Sequence, residues 1–201
     1  MSQSSSQSQS PFSFRSDQDF HQLYPREIRR LATKQWTSLK VAEYATNFLT
    51  PTEGVKILDI GSGVGKFCLA GAHYAPKASF YGIEQRTDLV AHANAAKSIL
   101  QLPNVRFLSG NFTRLDFKQY DHFYFFNSFY EHLAHENQID NKIKYSITLF
   151  DYYTKCLYDK LDKQPVGARI VTYHLLENRM PPGYEEVESL ESDLLKCWIK
   201  R

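Results

Sequence analysis

Val55-Lys56-Ile57-Leu58-Asp59-Ile60-Gly61-Ser62-Gly63-Val64-Gly65-Lys66-Phe67-Cys68-Leu69-Ala70-Gly71-Ala72 is the stretch that decides the fold of this 201-residue chain. Val55, Ile57, Leu58 and Ile60 make the short apolar run required of a strand buried on both faces. Three glycines then alternate with Ser62 and Val64, and glycine reaches backbone angles closed to other residues. A helix is expected to leave from about Gly63 and run to about Tyr74. Strand, turn and helix in this order put backbone N–H groups and a positive helix end at the carboxyl edge of a sheet, where open α/β folds bind ligands. The turn is therefore read as a cofactor site.

Two phosphate-binding patterns fail on spacing. A dinucleotide fingerprint GxGxxG starting at Gly61 needs glycine where Lys66 stands, and one starting at Gly63 needs it where Cys68 stands. A Walker loop has its Gly65-Lys66 pair, but Ile60 replaces the leading glycine and Phe67 the metal-binding hydroxyl.

The pattern that fits is GxGxG preceded by an acid, Asp59-Ile60-Gly61-Ser62-Gly63-Val64-Gly65, and in it the chain resembles the class I S-adenosylmethionine-dependent methyltransferases. The resemblance covers roughly residues 40 to 201. It implies that Asp59 lies near the α-amino group of the cofactor, with Gly61, Ser62, Gly63 and Gly65 in close backbone contact. The next strand, Ala78 to Glu84, ends in an acid 25 residues after Asp59, and Glu84 is the implied ribose ligand. A carboxylate there can accept hydrogen bonds from both ribose hydroxyls. Val105 to Leu108 forms a third strand running into Ser109-Gly110-Asn111-Phe112, where the resemblance implies that Asn111 reads the adenine edge and Phe112 covers its face.

The fourth strand, His122 to Phe126, delivers Asn127-Ser128-Phe129-Tyr130-Glu131-His132 to the same crevice. Family members that methylate amino nitrogens carry Asn or Asp, two prolines and an aromatic here; Asn127 and Tyr130 keep the outer positions, while Ser128 and Phe129 replace the prolines. The implied roles are a carbonyl of Asn127 that accepts from the acceptor NH, beside the cofactor, and a Tyr130 ring that stacks on the acceptor. The glycine turn with Asn127-Ser128-Phe129 is also similar to the histone-lysine methyltransferases that lack a SET domain. Glu131, His132, His135 and Glu136 read as exposed polar residues, as a general base centred on His132, or as a metal site. HxxH followed by Glu is not HExxH, and no further His or Cys stands at ligand spacing, so no metal is expected.

Around this centre the chain divides into three parts. Residues 1–10, almost all Ser and Gln, are expected to be a disordered tail. Residues 11–50 form a helical arm rich in aromatics, in which Tyr24, Arg29, Arg30 and Trp36 are candidates for a lid over the acceptor or for packing against the sheet edge. Thr37 or Ser38 caps its last helix, which Pro51 ends. Residues 51–201 form the cofactor-binding domain. Within it a helix from about Asp88 to Leu100 is capped by Thr87 or Asp88, and a long amphipathic helix carries Ile143, Ile147, Phe150, Tyr153, Leu157 and Leu161 from about Ile139 onward. A fifth strand spans Ala168 to Tyr173, with His174 at the crevice, and an antiparallel pair, Tyr184 to Ser189 and Leu195 to Lys200, closes the chain around a turn near Glu191 to Asp193. The expected fold is a three-layer α/β Rossmann-like sandwich: a seven-stranded, mostly parallel sheet with an antiparallel carboxyl-terminal strand and helices on both faces.

Composition bounds the rest. A hydrophobic content of 42% and an aromatic content of 14% belong to a folded protein, and a net charge of +2 makes no argument for nucleic acid, though it does not exclude it. Cys68, Cys156 and Cys197 are odd in number and far apart, which suits reduced thiols and a cytoplasmic setting. No membrane span and no signal peptide are read from the sequence. The expected activity moves a methyl group from S-adenosyl-L-methionine, leaving S-adenosyl-L-homocysteine, to an unidentified acceptor. Nitrogen is preferred, on a protein lysine, a small metabolite or an RNA base. The competing reading is a Rossmann-like module that binds the cofactor or a nucleotide without catalysis. Neither the acceptor nor the oligomeric state has a signature in the sequence.

Overall fold

A computed structural model describes residues 14–32, 36–126, 128–133, 139–140, 143–173, 179–190 and 194–201. Seven strands form one sheet: β1 (Lys56–Ile60), β2 (Ser79–Glu84), β3 (Val105–Ser109), β4 (His122–Phe126), β5 (Arg169–Tyr173), β6 (Tyr184–Leu190) and β7 (Leu195–Lys200). Their order is β3-β2-β1-β4-β5-β7-β6. β1 pairs in parallel with both β2 and β4, whereas β7 runs antiparallel to β5 and to β6. The chain therefore steps outward from β1 to β3 and then returns to the other side of β1. That reversal opens a crevice above the carboxyl ends of β1 and β4.

Among the described residues six α-helices accompany the strands: α1 (Asp17–His21), α2 (Arg26–Arg29), α3 (Leu39–Leu49), α4 (Lys66–Tyr74), α5 (Thr87–Leu100) and α6 (Ile147–Asp162). Side chains alternate along each strand. Ile57, Phe80, Tyr124 and Val171 face one core, which holds residues of α1 to α5; Leu58, Ile60, Phe123 and Ile170 face the other, which holds α6 and short 3-10 turns. Each such buried Ile, Leu or Phe contributes roughly 1.5–3 kcal/mol.

Ser38 caps α3, its Oγ accepting from Val41 N at 3.2 Å, and the helix stops before Pro51. Two expected helix starts are corrected. α5 begins at Thr87, behind an Arg86 N-cap without a side-chain cap, so neither Thr87 nor Asp88 serves as cap. α6 begins eight residues later than the apolar period suggests, because Ser146 Oγ accepts from Leu149 N at 3.2 Å and sets the first turn there. Ile139 and Ile143 lie outside the helix, and Ile147 is exposed.

The arm before α3 is packed, with Phe14, Phe20, Leu23, Tyr24 and Ile28 all buried. No helix among the described residues is long and apolar enough to cross a membrane. Cys68, Cys156 and Cys197 carry free thiols.

Candidate functional site

The crevice is built on the glycine turn. Gly61, Gly63 and Gly65 take φ of +78°, +53° and +82°, and the last caps α4 in the left-handed region. Two of them also make room. A Cβ on Gly61 would lie 2.3 Å from Ser128 Oγ, and one on Gly65 would lie 2.3 Å from the Phe107 ring. A Cβ on Gly63 would meet no atom within 4 Å, so its backbone faces open space in the cleft.

Glu84, at the carboxyl end of β2, is buried and turned toward this turn. Its Oε2 accepts from Gly63 N at 3.1 Å and its Oε1 from Arg86 N at 2.9 Å. A carboxylate offers about four acceptor positions, so about two remain for a ligand. Asp59, at the end of β1, is 4% exposed and accepts from Cys68 Sγ at 3.6 Å. Burial, aided by the nearby charge of Glu84, pushes its pKa up to about 8. A cation entering above the turn would restore the ionised form.

Opposite these acids the cleft is apolar. Ile83, Leu89 and Phe112 line it, Phe112 stacking on Phe129 at 5.2 Å between centroids. Trp36 and Thr37 close it from the arm, and the Thr37 hydroxyl shares a 2.8 Å hydrogen bond with Tyr124 OH. Lys66 also lines it; its ammonium pairs with Asp17 of α1 and sits 3.2 Å from His21 Nε2.

Of the residues singled out in the sequence, Asp59, Gly61, Ser62, Gly63, Glu84, Phe112 and His132 line one cleft. The Ser62 hydroxyl does not serve it: Oγ is buried without a hydrogen-bond partner and lies against Gly82. Gly65 stands behind the turn, against Phe107. Asn111 is diverted too. Its Oδ1 accepts from Thr113 N at 3.0 Å, capping a 3-10 turn, while Nδ2 donates to Gln85 Oε1 and Tyr153 OH at 3.1 and 3.0 Å. Its amide is used in holding its neighbours. Asn127, His135, Glu136, His174 and the side chain of Tyr130 lie outside the described residues.

His132 is buried, and burial together with Arg86 lowers its pKa, which keeps the ring neutral at pH 7. Nδ1 accepts from Ser146 N at 3.4 Å, which assigns the proton of the neutral ring to Nε2. This tautomer can donate from Nε2 but takes up no proton there. The sequence reading named Trp36 as a candidate for a lid or for packing, and the structure places it in the cleft lining; the same reading missed Lys66, Arg86 and Leu89 as cleft residues. Arg86 had a local signal, a base two residues after the acid that ends β2; Trp36 and Lys66 depend on how the arm lies.

A family model described as "Methyltransferase domain" matches residues 51–162. The tRNA (guanine-N(7)-)-methyltransferase of Synechococcus sp. (strain JA-3-3Ab) is 50% identical over 54 residues, 27% of this chain and 23% of that protein. The tRNA (guanine-N(7)-)-methyltransferase of Nostoc sp. (strain PCC 7120) is 35% identical over 86 residues, 43% of this chain and 39% of that protein. These matches thus span well under half the length of either relative. Among solved structures, an RNA methyltransferase from Salinibacter ruber in complex with S-adenosyl-L-homocysteine superposes with a TM-score of 0.59 and 20% identity, over 82% of this chain and 93% of that one. TrmN from Thermus thermophilus gives a TM-score of 0.59 at 17% identity, over 87% of this chain and 51% of that one. At these identities the structural likeness is one of fold.

Proposed function

The chain belongs to the methyltransferase-domain family, and from that premise we propose that it transfers the methyl group of S-adenosylmethionine to a ring nitrogen of an RNA base, N7 of a tRNA guanine being the first acceptor to test. One observation carries the cofactor reading: the open backbone of Gly63 and the half-used carboxylate of Glu84 face the same cleft, joined by a 3.1 Å hydrogen bond. In this reading Gly61, Gly63 and Gly65 shape the turn against the methionine end and Asp59 answers its ammonium. Glu84 holds the ribose, and Phe112 with Leu89 covers the adenine. Asn111 acts indirectly, by fixing Gln85 and Tyr153. When bound, S-adenosylmethionine supplies an electrophilic methyl group on a positively charged sulfur.

The acceptor is argued from chemistry and from relatives. The relatives from Synechococcus and Nostoc are named for guanine N7 of tRNA. That nitrogen attacks through a lone pair and has no proton to lose, so no general base is required. This suits a His132 whose neutral ring carries its proton on Nε2. Asn127 and Tyr130 remain the proposed orienting residues, by analogy with the nitrogen-methylating pattern. The protein's part is then to hold cofactor and acceptor in line and to exclude water.

The test is calorimetric titration with S-adenosylmethionine, S-adenosylhomocysteine and NAD, with Glu84→Ala as control, followed by methyl transfer to unmodified tRNA read by nucleoside mass spectrometry. Binding of the two sulfur compounds alone, lost in Glu84→Ala, with 7-methylguanosine as product, supports the reading. Absence of binding overturns the cofactor assignment. Binding with methyl transfer to protein or metabolite fractions but not to tRNA overturns the acceptor.

A further inference from the structure

The Arg86 guanidinium has several partners beside the cleft, and nothing in the cofactor reading requires it. The side chain is 3% exposed. NH1 and NH2 donate to the two oxygens of Glu131 at 3.3 and 2.7 Å, and NH2 also donates to Tyr145 OH at 2.8 Å. Nε lies 3.3 Å from Asp140 Oδ2 but is not aligned for a hydrogen bond. Glu84 comes last: its Oε1 is 3.7 Å from NH1, beyond hydrogen-bond length. Three carboxylates converge on one cation, and the one expected to serve the ribose has the weakest hold on it.

The order of these distances has a direct chemical meaning. Glu84 is oriented by two backbone N–H groups, which leave lone pairs on both oxygens. A guanidinium closing on the same carboxylate would form a bidentate pair and occupy those lone pairs, in competition with ribose hydroxyls. Glu131, 45 residues further along the chain, instead accepts from both terminal nitrogens. We propose that Glu131 is a positioning residue that holds the Arg86 guanidinium off Glu84 and so keeps the ribose-binding carboxylate open. Because Glu131 lies in the 3-10 turn Tyr130–His132 after β4, the same pair ties that turn to the residues just past β2. The proposal rests on the cofactor reading above.

The measurement is affinity for S-adenosylhomocysteine and for its 2′,3′-dideoxy analogue, in the parent, in Glu131→Gln and in Glu131→Gln/Arg86→Met, with thermal unfolding of each. The parent should prefer the hydroxyl-bearing ligand by about 10-fold or more, the worth of a hydrogen bond to a charged group. Glu131→Gln should bind S-adenosylhomocysteine about 10-fold more weakly while its preference over the dideoxy analogue collapses toward unity. Removing Arg86 as well should restore both affinity and preference, which a merely structural role for Glu131 would not do. If Glu131→Gln does not fold, Tyr145→Phe withdraws a smaller share of the same guanidinium's partners and should show the same loss to a lesser degree. A folded Glu131→Gln that behaves as the parent, or a double variant no better than the single, overturns the proposal. A parent that binds neither S-adenosylmethionine nor S-adenosylhomocysteine overturns instead the cofactor reading beneath it.

Discussion

Gly61, Gly63 and Gly65 look alike in sequence and serve different ends. All three have positive φ, so any other residue pays roughly 1 kcal/mol in backbone strain at each. Gly65 also excludes a side chain sterically, since the Phe107 ring would lie 2.3 Å from its Cβ, whereas Gly63 has empty space there. Gly63→Ala should therefore fold with a melting temperature lowered by only about 2–4 °C, yet lose cofactor affinity, because its methyl projects into the cleft. Gly65→Ala should be the more destabilised of the two. Thermal unfolding and calorimetry on the same samples check both, and a Gly63→Ala that binds as the parent would separate the turn from the ligand. The spacing of the turn was legible because it is written in seven consecutive residues. The diversion of Asn111 was not, since its amide is claimed by Tyr153, a residue 42 positions away.

Among the elements, the amino-terminal arm departs furthest from a passive cover. Tyr24 is 2% exposed and donates to the carbonyl of Val64, inside the glycine turn, at 2.9 Å. Asp17 accepts from Leu39 N at 3.0 Å and pairs with Lys66, joining the arm to the starts of α3 and α4 at once. The aromatics of this segment announced burial, but composition does not say against what. Tyr24→Phe should cost about 1 kcal/mol, the net worth of one hydrogen bond. If the arm braces the turn, S-adenosylhomocysteine affinity should fall severalfold in the same variant; titration beside a melting curve checks this, and unchanged affinity would make the contact structural only. The late start of α6 has a similar origin. Ile139 and Ile143 continue an apolar period, but the Ser146 cap offers the backbone a local hydrogen bond that fixes the first turn at Ile147.

For the molecule as a whole, the buried acid beneath the turn links stability to pH. Asp59 has a folded pKa of about 8 against an ordinary 3.8, so the folded chain binds this proton more tightly than the unfolded one. Its contribution to stability therefore falls as pH rises from about 4 to about 8. His122 acts in the opposite sense: burial lowers its pKa to about 4 from 6.5, so its contribution is lost as pH falls through that window. Between about pH 6.5 and 8 only the Asp59 slope of this pair remains. Urea unfolding across that range should show stability declining in the parent and a flatter profile in Asp59→Asn; parallel profiles would place the proton elsewhere.

The division between sequence and tertiary structure follows the range of the forces involved. Strand alternation, glycine φ and the acid at the end of β2 are set by contacts within a few residues, so the sheet, the turn and the place of Glu84 beside it could be read directly from the chain. The strand order β3-β2-β1-β4-β5-β7-β6 brings segments distant in sequence to one crevice. Only that convergence sets Glu131 on Arg86, Asp17 on Lys66 and Tyr24 on Val64, because buried charges and hydroxyls take whichever partners the packed elements present.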